Sequence, residues 1–413
     1  MHRLFLYGII FVLGAVDVAS GFADEVSQEI APWTPGTMEI HQISSGRGNA
    51  GLYIFPDGTT MLVDAGEIGK KVERHTPDRP DGTRRAGEWI TRYIRHALRH
   101  DPTPALDYTL VTHFHEDHMG EITESSLMSS SGAYRLSGLT EVGDKLHITK
   151  MMDRGWPDYS YPAPLTANVV KNYRAFVKWH VENKGMTVEA FKPGRNDQVV
   201  LRHDAKKYPR FEFRNIGANG EIWTGTGAAT HACFPPLDTV PKADWPDENL
   251  CGTSFRIRYG SFDYFNGADI RGIPYEGYPA WHDLETPVAK VVGRVDAAIL
   301  DHHGYVDTQN EFFVATLRPR VWVLSVWDAA HPTGRVWNRL QSQRVYPGPR
   351  DVLATDVHEA ALTVIAGLNK LASAHGHIVI RVTSGGDEYR VLIVDDSNES
   401  HRVAKVFGPF ESK

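Results

Sequence analysis

The sequence contains few cysteines and has only a small excess of charge of one sign. Cys233 and Cys251 are its two cysteines, which excludes a disulfide-rich scaffold and a zinc cluster built from cysteines. The 44 Lys and Arg residues are dispersed and are outnumbered by 51 Asp and Glu residues, so the formal net charge is −7. This balance does not predict a basic surface for nucleic acid. A hydrophobic content of 41% is enough for a large core and excludes a disordered or fibrous protein.

Long apolar runs are also scarce, and the clearest one lies at the amino terminus. Positive charge at Met1 to Arg3 precedes an apolar run from Leu4 to Val16, and small residues follow up to Ala23. This order is typical of a secretory signal, so residues 1–23 are predicted to be a cleaved signal peptide. The alternative is an uncleaved anchor, but a membrane span needs about 20 apolar residues and this run is shorter. We therefore expect a secreted or periplasmic protein with no membrane span after cleavage.

Residues 24–413 are predicted to form one α/β domain. Apolar runs at 52–55 and 59–64 flank Pro-Asp-Gly and predict a hairpin, whereas residues 84–99 have helical periodicity. A short apolar strand at 107–112 leads directly into a histidine-rich segment, and polar residues at the end of a strand are typical of α/β binding sites. Further predicted elements are a helix at 167–183 and strands at 253–259, 262–266, 296–301 and 320–326.

Residues 121–200 differ from this alternation because they are rich in Ser, Gly, Tyr and Pro. They are predicted to be an insertion that covers the functional site and sets substrate choice, since they follow the histidine-rich segment directly. Within the insertion, Arg154 is a candidate for pairing with a substrate phosphate or carboxylate. Trp156, Tyr159 and Tyr161 could stack on a ligand, although packing is the favoured role for such aromatic side chains.

The segment His113-Phe114-His115-Glu116-Asp117-His118 has the spacing of a metal-binding loop. Alternate residues of an extended segment point to the same side, so His113 and His115 can hold one ion. Asp117 and His118, which lie beyond the bend, can face a second ion. Imidazole nitrogens and carboxylate oxygens together suit zinc. The alternative of a solvated polar loop is disfavoured because an apolar strand comes directly before the segment.

This loop resembles the H-x-H-x-D-H motif of the metallo-β-lactamase-fold superfamily of binuclear metallohydrolases, and residues 62–66 resemble its strand-Asp-Gly element. The similarity covers most of residues 45–360 apart from 121–200. It implies an α/β fold, namely a four-layer αββα metallo-β-lactamase-like sandwich with an inserted lid region. Segments that are similar to the hydrolase domain of the DNA-uptake competence protein are 248–258, 262–269, 296–304, 331–332 and 354–356.

The resemblance also implies a set of metal ligands. These are His113, His115 and His231 at the first ion, Asp117, His118 and His303 at the second, and Asp269 as a bridge between them. Asp269 stands in Gly-Ala-Asp, where the family usually has Gly-Asp. His302 is expected to face substrate oxygens, although it could exchange roles with His303. His231 could instead be a surface histidine. The two divalent ions are expected to be zinc, with manganese as the alternative.

Several residues near these ligands are expected to support the site. Asp64 should orient a ligand histidine through its second ring nitrogen. Asn219 could line the site in place of the third histidine of the first ion, and His331 could either contact substrate or simply end a strand. Cys233 and Cys251 could form a disulfide that braces the wall of the site, or they could remain a buried pair of free thiols.

The implied function is hydrolysis by a metal-activated hydroxide, with Asp117 accepting its proton and no organic cofactor. The competence-protein resemblance favours a phosphodiester substrate, either nucleic acid outside the cell or a phosphorylated envelope component. The net charge argues against a stable nucleic-acid complex but not against a small phosphodiester. Alternatives are a carbon ester, lactone or β-lactam hydrolase, and a non-catalytic metal-binding envelope protein. No protein partner is predicted.

Overall fold

The computed structural model describes residues 25–69 and 72–413, which form two large sheets flanked by helices. The predicted signal segment, residues 1–23, lies outside the described residues. The strands are β1 Met38–Gln42, β2 Ala50–Ile54, β3 Thr60–Ala65, β4 Leu106–Val111, β5 Ile148–Asp153, β6 Thr187–Ala190, β7 Phe211–Ala218, β8 Glu221–Trp223, β9 Thr230–Ala232, β10 Ser254–Tyr259, β11 Phe262–Asn266, β12 Ala297–Ile299, β13 Val321–Leu324, β14 Asp351–Ala354, β15 His377–Val382, β16 Glu388–Val394 and β17 Val403–Glu411.

The α-helices lie mostly between strands that are parallel in one sheet. They are α1 Ala86–Ala97, α2 Glu116–Met119, α3 Gly138–Lys145, α4 Asn168–Lys184, α5 Glu285–Val292, α6 Glu311–Leu317, α7 Gly334–Gln341 and α8 Glu359–Val364. None of the helices in the described ranges combines the length and the apolar character that crossing a membrane requires.

Each sheet has an antiparallel half and a parallel half. The nine-stranded sheet has the order β17-β16-β15-β1-β2-β3-β4-β5-β6, and the eight-stranded sheet has the order β14-β13-β12-β11-β10-β7-β8-β9. Strands β3 to β6 are parallel in the first sheet, and β11 to β14 are parallel in the second. Parallel neighbours bring the carboxyl ends of their strands to one edge of the sheet, where α/β proteins form their sites.

The two sheets pack face to face, and helices cover both outer faces. Apolar side chains from both sheets, such as Phe55, Val63, Phe255 and Ile299, share one buried core. A second core joins the first sheet to α1, α3 and α4, and a third joins the second sheet to α5, α6, α7 and α8. The layer order is helix, sheet, sheet, helix, which confirms the four-layer αββα sandwich.

Residues 121–200 contribute two short strands to the first sheet. Strand β5 pairs in parallel with β4, and β6 pairs in parallel with β5. That the rest of this segment covers the site stays a prediction. Tyr159 is buried, and its hydroxyl donates to Asp153 Oδ2 at 3.0 Å. Trp156 packs against the same core, which confirms the packing role of these aromatic side chains. The sequence did not predict these two strands, because they have only 6 and 4 residues and lie in a segment rich in Ser, Gly and Pro.

Helix α1 packs on the first sheet through a cluster of rings around Tyr93. The cluster contains four histidines, His41, His96, His377 and His401. His41 Nδ1 lies 2.9 Å from the Tyr93 hydroxyl, and the rings of His96 and His401 stack with centroids 3.8 Å apart. Burial lowers the pKa of His96 to about 3, and it also lowers the pKa values of His377 and His401.

The histidine cluster predicts a loss of stability in acid. The imidazoles of His96, His377 and His401 stay neutral in the folded protein but take up protons in the unfolded chain below about pH 6.5. We therefore expect the free energy of unfolding to fall as the pH decreases below that value, and the slope to become shallower in His96→Gln. Urea unfolding between about pH 5 and 8 measures this slope. His203→Gln, at an exposed position, should keep the original slope; an unchanged slope in His96→Gln would contradict the explanation.

Candidate metal centre

The predicted metal-binding residues other than His231 lie at the edge where parallel strands of both sheets end. Asp64 lies at the end of β3, and His113 to His118 follow β4 in the first sheet. In the second sheet, Asp269 follows β11, and His302 and His303 follow β12. Both sheets therefore contribute to one site, which is bounded on each side by a parallel half-sheet.

Four buried side chains form the centre of this site. Asp117, His118, Asp269 and His303 each offer one ligand atom, and these four atoms lie within 4.8 Å of one another. His303 Nε2 is 3.0 Å from Asp117 Oδ2, and His118 Nε2 is 3.3 Å from Asp269 Oδ1. His118 Nε2 is buried without a hydrogen-bond partner, as expected of an atom that ligates a cation. Two imidazoles and two carboxylates fit a divalent ion such as zinc or manganese.

His113 and His115 form a second group of nitrogens beside this centre. His113 Nε2 is 3.2 Å from His115 Nδ1 and 3.7 Å from Asp269 Oδ2. Asp269 Oδ1 faces His118, whereas its Oδ2 lies 3.7 Å from both His113 Nε2 and His303 Nε2. The carboxylate therefore lies between the two groups, and His113, His115 and Asp269 are donors that could hold a second divalent ion.

Groups behind the ligands orient the imidazole rings. His118 Nδ1 lies 2.8 Å from Asp64 Oδ2, which also accepts from the Thr112 hydroxyl at 2.8 Å. His303 Nδ1 lies 3.0 Å from the backbone carbonyl of Ser325. An imidazole fixed through one nitrogen presents the other to a metal. Asp64 therefore has the orienting role that the sequence predicted.

The backbone at the site adopts strained conformations. Asp64, Ala268, His302 and His303 all have positive φ, between 44° and 61°. Such values are rare outside glycine and cluster at functional sites, where surrounding contacts enforce them. Gly267 has a different constraint, because a Cβ atom there would lie 2.2 Å from Asp301 Oδ1. Ala268 thus stands as one left-handed residue between Gly267 and Asp269.

The charges of the site stabilise one another. Burial raises the pKa of Asp117, but the charges of His118 and His303 outweigh burial and lower that pKa below its usual range. Burial likewise raises the pKa of Asp269, but the neighbouring histidines, His118 first among them, outweigh burial and lower that pKa well below its usual value. Burial disfavours the charged form of His118, whereas Asp269, Asp117 and Asp64 raise the pKa of its imidazole well above the usual value. The buried carboxylates thus favour a positive charge beside them, which a divalent ion would supply.

Two residues that follow β13 contact the centre. The indole Nε1 of Trp327 donates to Asp117 Oδ2 at 2.9 Å. The His331 ring stacks on His303 with centroids 4.8 Å apart and an interplanar angle of 18°. Sequence reasoning missed Trp327, because a tryptophan has no ligand spacing. The only available signal was its position after a strand parallel to the one that carries His303.

His302 lies at the mouth of the site, and 19% of its side chain is exposed. Its Nε2 is 4.0 Å from Asp269 Oδ2 and 3.1 Å from the Asn249 amide nitrogen. Its Nδ1 lies 2.8 Å from Asp307 Oδ1. Burial lowers the pKa of His302, but the hydrogen bond to Asp307 and the charge of Asp269 outweigh burial and raise it. Asn249 Oδ1 is buried beside this ring without a hydrogen-bond partner.

The structure of the segment between the metal loop and Asp269 differs from the prediction at His231. His231 is exposed on β9 at the outer edge of the second sheet, where its Nε2 faces Cys233 Sγ at 3.6 Å. Its position in the chain did not reveal that β9 is an edge strand, and it does not join the buried group of ligands. Cys233 and Cys251 are free thiols, with Cys251 buried in the core behind the second sheet.

Arg154 supports the metal loop rather than facing a substrate. It is 4% exposed, and its Nε donates to Glu248 Oε1 at 2.7 Å. The same oxygen accepts from the backbone nitrogen of Phe114, between the two histidines of the first pair, at 2.8 Å. Arg154 Nη1 also donates to Asn219 Oδ1 at 3.0 Å. These bonds place Asn219 behind the loop and fix the backbone that carries His113 and His115.

No family model matches the sequence, and no curated protein matches it. Solved structures do match. They include a protein described as a metal-dependent hydrolase from Parabacteroides distasonis, which is 13% identical with a TM-score of 0.35 and covers 77% of this chain and 93% of its own. The metallo-β-lactamase fold protein YhfI from Bacillus subtilis is 14% identical with a TM-score of 0.35, covering 84% and 99% of the two chains. Zinc-bound PqqB from Methylobacterium extorquens is 9% identical with a TM-score of 0.35, covering 83% and 99%.

At such low identities and TM-scores, only the residues of this chain indicate the chemistry of its site. The layer order, the site at the carboxyl ends of parallel strands and the H-x-H-x-D-H loop after β4 define a metallo-β-lactamase fold.

Arg154 is predicted to be essential for both stability and metal binding. Arg154→Met leaves the carboxylate of Glu248 without its cation in a site where only 15% of that side chain is exposed. We expect a loss of about 3–5 kcal/mol in the free energy of unfolding, together with a lower metal content. Adding Glu248→Gln should restore most of the stability, because the amide oxygen still accepts from Phe114. Chemical denaturation of the metal-free protein and elemental analysis measure both effects.

The exposed pair of Arg195 and Asp197 offers a matched control. Arg195→Met should change the free energy of unfolding by less than about 1 kcal/mol. If Arg154→Met kept its metal and its stability and lost activity only on large substrates, Arg154 would be a substrate contact after all.

Proposed function

We propose that this protein is a metal-dependent hydrolase that uses two divalent ions to cleave a phosphodiester. The observation that carries this proposal is the position of Asp269 between the two groups, with Oδ1 near His118 and Oδ2 3.7 Å from both His113 and His303. Two adjacent groups of donors joined by one carboxylate are suited to a pair of ions. Such a pair stabilises both the attacking and the leaving oxygen of a displacement at phosphorus.

The ions would supply Lewis acidity at a phosphoryl oxygen and would lower the pKa of water held between them. Asp117 is ionised and fixed beside His303, so it can accept the proton of the attacking water. The hydrogen bond between His302 and Asp307 keeps the His302 ring at the mouth, with Nε2 directed toward Asp269 and Asn249. We assign His302 and Asn249 to binding the non-bridging oxygens of the substrate.

The charge of the mouth favours a phosphodiester over an uncharged ester. Asp307 raises the pKa of His302 and so favours a protonated ring, whose Nε2 can donate to a substrate oxygen instead of accepting from the Asn249 amide as it does in the structure. Asp307 is itself fixed by Arg271 Nε at 2.8 Å and by the Tyr275 hydroxyl at 2.9 Å. An anionic substrate gains from that cation in the ground state and more in the transition state, where charge accumulates on the phosphoryl oxygens.

The amino-terminal pattern supports a secreted or periplasmic location, so we propose a substrate outside the cytoplasm. Extracellular nucleic acid and a phosphorylated envelope component both provide phosphodiesters there. The net charge of −7 supports a transient encounter with such a polyanion rather than a stable nucleic-acid complex.

A substrate panel tests the proposed function. We expect the zinc-loaded or manganese-loaded protein to hydrolyse bis-p-nitrophenyl phosphate, with little activity on a lactone or on the β-lactam nitrocefin. Elemental analysis should give two ions per chain. Chelation should abolish turnover, and Asp269→Asn should abolish it while keeping the fold, as circular dichroism can show. Faster turnover of the lactone or nitrocefin would reassign the substrate class, and a protein that binds metal but turns over none of the three would contradict the proposed phosphodiester hydrolysis.

His302→Gln is expected to separate substrate binding from metal binding. The variant should keep two ions per chain but lose about 100-fold in kcat/KM for bis-p-nitrophenyl phosphate, because a cation at the mouth is removed. His203→Gln, at an exposed position, is the matched control and should retain full activity. Loss of an ion in His302→Gln would instead mean that His302 is a ligand, as in the alternative assignment of the His302–His303 pair.

A further inference from the structure

The two groups of donors differ in how many of their side chains are held in place by neighbouring residues. Each residue at the second ion has a fixed partner: His118 contacts Asp64, His303 contacts the Ser325 carbonyl, and Asp117 contacts Trp327. At the first ion, His113 contacts the Thr112 hydroxyl at 3.1 Å, but His115 is half-buried and the expected third histidine lies on β9 instead. Outer partners of this kind raise metal affinity because they hold ligands in the binding geometry.

Trp327 contacts the oxygen at which the second group converges. Its Nε1 donates at 2.9 Å to Asp117 Oδ2, which is also 3.0 Å from His303 Nε2 and 3.5 Å from His118 Nε2. A free carboxylate can rotate and offer either oxygen in several directions. The indole N–H restricts Asp117 to the orientation in which Oδ2 faces both imidazoles.

The indole ring is itself held by its neighbours. The rings of His331 and His75 meet it edge-on, with centroids 5.1 and 5.4 Å away. The backbone carbonyl of Trp327 accepts from the Thr76 nitrogen at 3.0 Å. These contacts come from two separate segments, residues 75–76 and 327–331, so the position of the donor is set by tertiary structure before an ion binds.

We propose that Trp327 is a positioning residue for the second ion and that this ion binds before the first and more tightly. The proposal rests on the two-ion function proposed above. Because the carboxylate of Asp117 is already oriented, the second ion gives up less binding free energy to order its ligands. Loss of an outer partner of a metal ligand typically lowers affinity by about 10–100-fold, which sets the size of the expected effect.

Cobalt titration of the metal-free protein tests this proposal without relying on activity. Calorimetry and the visible spectrum of bound Co²⁺ should resolve a tight and a weak equivalent. Trp327→Phe keeps an aromatic ring but removes the donor, and it should weaken the tight equivalent by about 10–100-fold without changing the weak one. Trp33→Phe is the matched control, because its indole also donates to a single acceptor, the Thr37 carbonyl at 2.8 Å. It should bind cobalt as the unmodified protein does.

Two further variants identify the sites. His115→Ala should retain the tight equivalent, whereas His303→Ala should lose it. The thermal unfolding of metal-free Trp327→Phe, compared with the Trp33→Phe control, separates a loss of folding from a loss of metal binding. An unchanged tight equivalent in folded Trp327→Phe, or a tight equivalent that survives in His303→Ala, would overturn the proposal.

Failure of the proposed role of Trp327 and failure of the proposed function give different results. A protein that binds two equivalents of cobalt but cleaves no phosphodiester would contradict the function and leave the role of Trp327 intact. A single equivalent in the unmodified protein, unaffected by Trp327→Phe, would contradict both.

Discussion

Two carboxylates buried within contact of the same histidines impose the constraint that shapes this protein. Asp117 and Asp269 are 8% and 2% exposed, and a buried negative charge is costly unless it is paired. His118 and His303 contact both carboxylates in the structure, and divalent ions would supply the compensating charge. The fold satisfies this constraint by directing the ends of parallel strands from two sheets toward one point.

Each of the two sheets holds one histidine of the site in place. The first sheet supplies Asp64, which holds His118, and the second sheet supplies the Ser325 carbonyl, which holds His303. Arg154 and Glu248 brace the backbone of the metal loop from behind. Because the donors come from both sheets, the apolar core between the sheets also determines the distances within the site. A core change that shifts one sheet against the other should disturb metal binding even far from the ligands.

Strands β5 and β6 tie residues 148–190 to the first sheet at both ends. Aromatic side chains between these strands, such as Tyr159 and Tyr173, are buried in the core. Selectivity is better placed at the mouth, where Arg271 and Tyr275 fix Asp307 and thereby orient His302. These groups are rigid, charged and hydrogen-bonded, which suits recognition of a compact anionic group.

The sequence by itself determined the features that depend on neighbouring residues. Apolar runs on either side of short turns marked the hairpins of β2–β3 and β10–β11, and helical periodicity marked α1. The contiguous metal loop carried four of the proposed ligands in six residues. Only the tertiary structure decided which distant residues reach that loop. His231 has a suitable place in the chain but lies on an edge strand, whereas Trp327 has no metal-binding signature yet contacts Asp117. The physical reason is that packing of two sheets sets the distance between segments far apart in the chain, and no local pattern encodes that distance.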